Sequence, residues 1–145
     1  MKILIATDGT PASEGAIREA ARLLPLKDAE VHVACVADLL PLVAGYEASA
    51  AAATIVIEQQ LAGAHLDGAK AVALLAELGV PATAHDREGD PATEILALGR
   101  SLAVDLLVLG AHGKNGFERL IFGSTSDAVA HRWDGAVLIV RPQAS

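Results

Sequence analysis

The chain has 145 residues, 52% of them apolar and 20% charged, with a mean hydropathy of +0.42. These values exclude intrinsic disorder and suit one domain spanning 1–145, long enough to bury roughly 68–70% of its unfolded surface without covalent staples. Eighteen acidic against eleven basic side chains give a net charge of −7, with no Lys/Arg-rich stretch, which argues against electrostatic grip on a nucleic acid. The lone Cys35 rules out an internal disulfide and fits a reducing compartment. Met1-Lys2-Ile3-Leu4-Ile5-Ala6 meets Asp8 too soon for a secretory signal. The longest uncharged stretches, 39–46 and 48–57, fall far short of the ~20 residues that a membrane span needs. The expectation is a soluble, cytoplasmic domain that contacts neither membrane nor nucleic acid.

Ile3-Leu4-Ile5-Ala6-Thr7 reads as a strand that runs into the turn chemistry of Asp8-Gly9-Thr10-Pro11. A helix follows over 13–25, with Ala16, Ile17, Ala20, Ala21 and Leu24 at helical spacing and Ser13 or Thr10 as its cap. Val31–Ala37 is a second strand. After the loop with Pro41, Gly45 and Tyr46 comes a long alanine-rich helical window, about 47–78. Its predicted stripe is Gln59, Ala62, Leu66, Ala69, Ala73 and Ala76. Pro81–Arg87 is shorter and more polar, as suits an edge strand. Asp90 and Pro91 then cap and open a helix whose buried side is Ile95, Leu98 and Leu102. Leu106-Leu107-Val108-Leu109 is apolar throughout, the mark of a strand covered on both faces. A glycine-rich loop spans 110–123, a helix occupies roughly 124–132, and Ala136–Val140 is the last strand. Five such βα units call for an α/β fold, a doubly wound parallel sheet in three layers.

In such sheets ligands bind outside the carboxyl ends of the strands, where the strand order reverses. Three places qualify: Thr7-Asp8-Gly9, Val36-Ala37-Asp38 and the loop at Gly110. In Gly110-Ala111-His112-Gly113 the missing Cβ atoms let a ligand approach the backbone. Gly123-Ser124-Thr125-Ser126 opens a helix, so free N–H groups, hydroxyls and the positive dipole end converge on one point, an anion site suited to phosphate. Taken alone, Gly-x-x-Gly marks only an ordinary βα loop.

The full pattern, Gly-x2-Gly-x9-Gly-Ser after an apolar strand with Asp8 ending the first strand, closely resembles the ATP-binding branch of the universal stress protein family. The resemblance extends over essentially the whole chain, through Gly89-Asp90-Pro91-Ala92 and Val137-Leu138-Ile139-Val140-Arg141. It implies a Rossmann-like, five-stranded sheet of order 3-2-1-4-5, of the adenine nucleotide alpha hydrolase-like kind, with nucleotide between the first and fourth strands. It implies further that Asp8 accepts hydrogen bonds from the adenosine end, that Ala6 and Thr7 line that pocket, and that backbone at Val36 meets the adenine. Leu109, Gly110 and Gly113 would approach ribose and phosphates; His112, between the glycines, reads from its position alone either as a phosphate donor or as a surface imidazole. Gly123, Ser124, Thr125 and Ser126 would hold the phosphate chain of ATP, and any Mg2+ or Mn2+ would ride on the phosphates. A homodimer through the closing strand is also implied. Family members often place a Pro before that strand, where this chain has Trp133-Asp134-Gly135.

Other chemistries fit less well. Gly113-Lys114 lacks the P-loop hydroxyl, since Asn115 follows, and the upstream glycine spacing is wrong. Lys114 and Arg119 remain loop cations. His32 and Cys35 stand an odd distance apart on one strand and face opposite ways, while His65, His85 and His131 fall in separate elements without ligand spacing. Cys35 reads as a small core residue. The clustered carboxylates of a phospho-acceptor receiver domain are absent, and no nucleophile–base pair stands out. The sequence therefore reads as an ATP-binding regulator of a stress response, acting by differential affinity on an unknown protein partner, without efficient catalysis. ATP ordering of the 110–123 loop would carry the signal. A slow ATPase in the same pocket and a dimeric interaction module without nucleotide are the rival readings.

Overall fold

The computed structural model describes residues 1–39, 49–111 and 123–141. The strands are β1 (Lys2–Thr7), β2 (Glu30–Ala37), β3 (Ala82–Glu88), β4 (Leu106–Gly110) and β5 (Ala136–Val140). The helices are α1 (Pro11–Leu23), α2 (Ala50–Glu77), α3 (Pro91–Ser101) and α4 (Ser124–Arg132). A 3-10 turn, Leu26–Asp28, buries Leu26 between α1 and β2. The strands form one parallel sheet of order β3-β2-β1-β4-β5, as the sequence implied.

Parallel pairing covers both faces of the central strands with helices, which explains why β1 and β4 are apolar at every position up to their ends. On one face Ile3, Ile5, Val33 and Val108 pack with Ala16, Ile17 and Ala20 of α1 and with Ala71, Leu74 and Leu75 of α2. On the other, Leu4, Ala34, Leu107 and Leu109 pack with Ile95, Leu96 and Leu98 of α3 and Val129 of α4. β3 is an edge, and its mostly exposed, polar side chains suit that place.

The helix caps separate two sequence alternatives. Thr10, not Ser13, caps α1: its Oγ1 accepts from Ser13 N–H at 3.2 Å, and Pro11 opens the helix. Asp90 caps α3 through Thr93 N–H at 3.0 Å, and Ser49 caps α2 through Ala52 N–H.

One expectation is corrected. Gln59, Ala62, Leu66, Ala69, Ala73 and Ala76 face solvent, with Leu66 54% exposed, and the buried stripe of α2 is Gly68, Ala71, Leu74 and Leu75. In a helix this rich in alanine, hydropathy varies little around the circumference. The periodicity then fixes that a helix exists without fixing which side faces the core. The loop at Pro41, Gly45 and Tyr46 lies outside the described residues.

Candidate nucleotide site

β1 pairs with β4 through Ile3–Leu106, Leu4–Leu107 and Ile5–Val108, and the pairing ends there. Both strands continue: β1 keeps its pairing with β2 as far as Thr7–Cys35, and β4 keeps its pairing with β5 as far as Gly110–Val140. The sheet therefore parts between β1 and β4 at their carboxyl ends, the one place where the strand order reverses. Ala6, Thr7 and Asp8 border the opening on one side, and Leu109 and Gly110 border it on the other.

Alternation decides which way each side chain faces. Ala6, Val36 and Leu109 share the face covered by α3 and α4, with Ala6 and Val36 half-buried and Leu109 buried. Gly110 is on the opposite face, where a Cβ would lie 3.4 Å from the Ala12 carbonyl oxygen at the start of α1. Thr7 is buried, and its Oγ1 accepts from Gly9 N–H at 3.3 Å. The turn into α1 needs Gly9, which has φ +75° and would bring a Cβ within 2.3 Å of the Asp67 carboxylate on α2.

Asp8 is held by its own loop. Its Oδ1 accepts from Thr10 N–H at 3.0 Å, from the Ser13 hydroxyl at 2.7 Å and from the Thr10 hydroxyl. None of these three bonds falls on Oδ2.

The start of α4 is tied to the end of β4. Ala111 donates to the Val140 carbonyl at 2.8 Å and accepts from Gly123 N–H, and Asp127 N–H makes the first bond within α4, to Gly123 O. The N–H groups of Ser124, Thr125 and Ser126 thus precede that bond, and Gly123 provides no side-chain cap for them. Ser124 is exposed and Thr125 half-buried, whereas Ser126 is buried and its hydroxyl donates to Gly123 O at 3.0 Å. His112, Gly113, Lys114 and Arg119 lie outside the described residues.

Away from this opening, the register of β2 with β3 assembles two polar groups that the linear spacing did not reveal. On one face the His32 ring bonds Glu30 Oε1 through Nε2 and His85 Nε2 through Nδ1, each at 2.8 Å. On the other, the Cys35 thiol donates to Asp86 Oδ1 at 3.0 Å while His65 Nδ1 bonds Asp86 Oδ2 at 2.6 Å. Those two bonds, the thiol's first, hold the Asp86 carboxyl below the usual carboxylate range. Among the described residues no group of three His, Cys, Asp or Glu side chains is placed to hold a metal ion.

The histidine pair has a consequence for stability. Burial, followed by the charges of His32 and Arg87, holds His85 below the ordinary histidine value of 6.5. The folded chain therefore takes up this proton at lower pH than the unfolded chain does. The contribution is complete above the unfolded value and is lost as pH falls through the folded one. Urea unfolding is expected to show stability falling as the pH drops below the ordinary histidine value of 6.5, less steeply in His85→Gln. Equal slopes in the two proteins would assign the effect to another group.

The sheet order, its flanking helices and the opening between β1 and β4 define a doubly wound, Rossmann-like α/β protein. The sequence profile of the universal stress protein family matches residues 1–141, and the chain belongs to that family. It is 33% identical over 141 residues to universal stress protein MJ0531 of Methanocaldococcus jannaschii, covering 97% of this chain and 81% of the relative. Among solved structures, hypothetical protein MJ0577 superposes with a TM-score of 0.85 at 23% identity, over 99% of this chain and 97% of that one. A universal stress protein in complex with cAMP gives 0.72 at 22% identity, over 99% and 98% of the two chains. One from Archaeoglobus fulgidus in complex with dAMP gives 0.62 at 20% identity, over 96% of each. At these identities the superpositions establish the shared fold. No helix among the described residues is long and apolar enough to cross a membrane.

Proposed function

We propose that the chain binds an adenine nucleotide, ATP, where β1 and β4 part, and acts as a nucleotide-dependent regulator of a stress response rather than as an efficient enzyme. The observation that carries this reading is the parting itself, with an acceptor on one side and a helix start on the other. Two solved proteins of the same family and fold, in complex with cAMP and with dAMP, support an adenine ligand.

The residues present suit such a ligand. Asp8 Oδ2 is an acceptor for a hydroxyl or amine of the nucleoside, and Ala6, Thr7 and backbone at Val36 supply the wall beside it. Leu109 and Gly110 adjoin the ribose and phosphates. The uncapped N–H groups of Ser124, Thr125 and Ser126, together with the Ser124 hydroxyl, donate toward an anion. The Ser126 hydroxyl is committed to Gly123, so Ser126 takes part through its backbone. Bound ATP supplies a phosphate chain that brings its own Mg2+ or Mn2+. The affinity of a protein partner for the liganded surface is the regulatory output. A second copy of the chain pairs along β5, an edge whose Val137, Leu138 and Ile139 are only half-buried.

Calorimetry with ATP and with adenosine tests the division of the site. Asp8→Ala is expected to weaken both ligands. Ser124→Ala should weaken ATP by roughly tenfold to 150-fold, the worth of a hydrogen bond to a charged group at about 1.5–3 kcal/mol, and leave adenosine nearly unchanged. A wild-type protein that takes up neither ligand overturns the reading.

A further inference from the structure

We infer that Ser13 is a positioning residue for the nucleotide site: its hydroxyl fixes the Asp8 carboxylate so that Oδ2 is left for the ligand. The inference rests on the proposed nucleotide reading for its function, and on hydrogen-bond geometry for its mechanism. Ser13 sits in the first turn of α1, where serine ordinarily serves as a cap. Thr10 already does that, accepting from Ser13 N–H at 3.2 Å, so the Ser13 hydroxyl has a different task. Ser13 is 7% exposed, and both of its hydroxyl bonds go to one residue. Its Oγ accepts from Asp8 N–H at 3.0 Å and donates its single proton to Asp8 Oδ1 at 2.7 Å.

That arrangement closes a ring through the main chain and side chain of Asp8, which removes freedom at its χ1. A hydroxyl has one proton, so the direction of the ring is determined. The backbone N–H can only donate, the serine oxygen must accept, and the serine proton must go to the carboxylate. Thr10 then adds its N–H at 3.0 Å and its hydroxyl to the same oxygen. Three donors on Oδ1 and none of them on Oδ2 make the carboxylate asymmetric. One oxygen belongs to the protein and the other is directed to a ligand donor. Without Ser13 the side chain still has Thr10 but loses the tie to its own backbone, and Asp8 samples other rotamers.

Two measurements test this. The first needs no nucleotide. Three-bond couplings of the Asp8 β-protons are expected to report one χ1 rotamer in wild type and rotamer averaging in Ser13→Ala. An averaged Asp8 in wild type, or an unchanged one in the variant, overturns the inference.

The second is a double-mutant cycle read by adenosine calorimetry on proteins whose folding is checked by thermal melting. Ser13→Ala should weaken adenosine roughly twofold to tenfold, the worth of one hydrogen bond, and should cost nothing further in the Asp8→Ala background. Ser13→Cys, nearly isosteric but a weak donor, should fall between wild type and Ser13→Ala. A merely structural serine would give the same loss with and without Asp8, and that result overturns the inference. If wild type fails to bind adenosine, the nucleotide reading falls, while the couplings still decide whether Ser13 orients Asp8.

Discussion

Gly68→Ala is expected to destabilise the protein, although alanine is ordinarily the better helix residue. A Cβ at Gly68 would lie 2.4 Å from the Cys35 sulfur, closer than side chains approach one another. Gly68 is on the buried face of α2 and Cys35 is buried on β2, so the bare Cα of the glycine sets the spacing between helix and sheet. Overpacking of this kind costs about 1–3 kcal/mol, of which alanine's helix propensity returns up to about 1 kcal/mol. A net loss of up to about 2 kcal/mol should appear as a lower urea midpoint at an unchanged slope. Two controls isolate the cause. At Gly63 a Cβ would meet nothing within 4 Å, so Gly63→Ala should gain up to about 1 kcal/mol. In a Cys35→Ala background the sulfur is gone, and the remaining neighbours, the residue-35 and Ala84 Cβ atoms at 3.4 and 3.5 Å, are at about ordinary contact distance. There Gly68→Ala should become neutral or stabilising. Strictly additive effects would mean that the sulfur does not set the spacing.

The Cys35 thiol should be nearly inert in the folded protein. Burial first, and then the Asp86 carboxylate beside it, push the thiol from 9.0 up to about 12. Each pH unit between titration point and solution is a factor of ten in thiolate, the reactive form, so three units reduce it about a thousandfold. Modification by an aromatic disulfide reagent near pH 8 is expected to be slower in native than in urea-unfolded protein by at least that factor, because burial also restricts access. Asp86→Asn should restore only part of the rate, since burial is the larger cause. Native and unfolded rates within tenfold of each other would contradict this assignment.

Both expectations depend on contacts that the linear sequence concealed, and the reason is physical. The strands were legible because β-branched and leucine runs such as Ile3–Ile5 and Leu106–Leu109 have few other ways to be buried on two faces. β3 was legible as an edge from its polarity. The phase of α2 was not, because alanine gives little hydropathy contrast between Ala69, which is exposed, and Ala71, which is buried. The bonds of Cys35 and His32 to the β3 side chains depend on a parallel register that forms only when the strands pair, more than fifty residues apart in the chain. At the site, Asp8, Gly110 and Ser124 stood out because turn and helix-start chemistry is local. The parting of β1 from β4 did not, since it is a property of pairing rather than of either strand. Ser13 was read as a rival cap because a serine at a helix start has that role by default, and only the position of Thr10 frees it for Asp8.

The strand order also bears on how the chain emerges during synthesis. β1 finds its first neighbour, β2, within the first forty residues, but its second neighbour begins only at Leu106. While residues 38–105 are being made, β1 has one satisfied edge and one open edge, and the growing half-sheet of β3, β2 and β1 must shield that apolar border or risk pairing it wrongly. The late arrival of β4 covers the border only along Ile3–Ile5 and leaves the last two positions of β1 unzipped from it. The opening assigned to the nucleotide is thus the unfinished end of the seam between the early-made strands β1–β3 and the late-made β4 and β5, and a molecule lodged there would join those two halves of the protein.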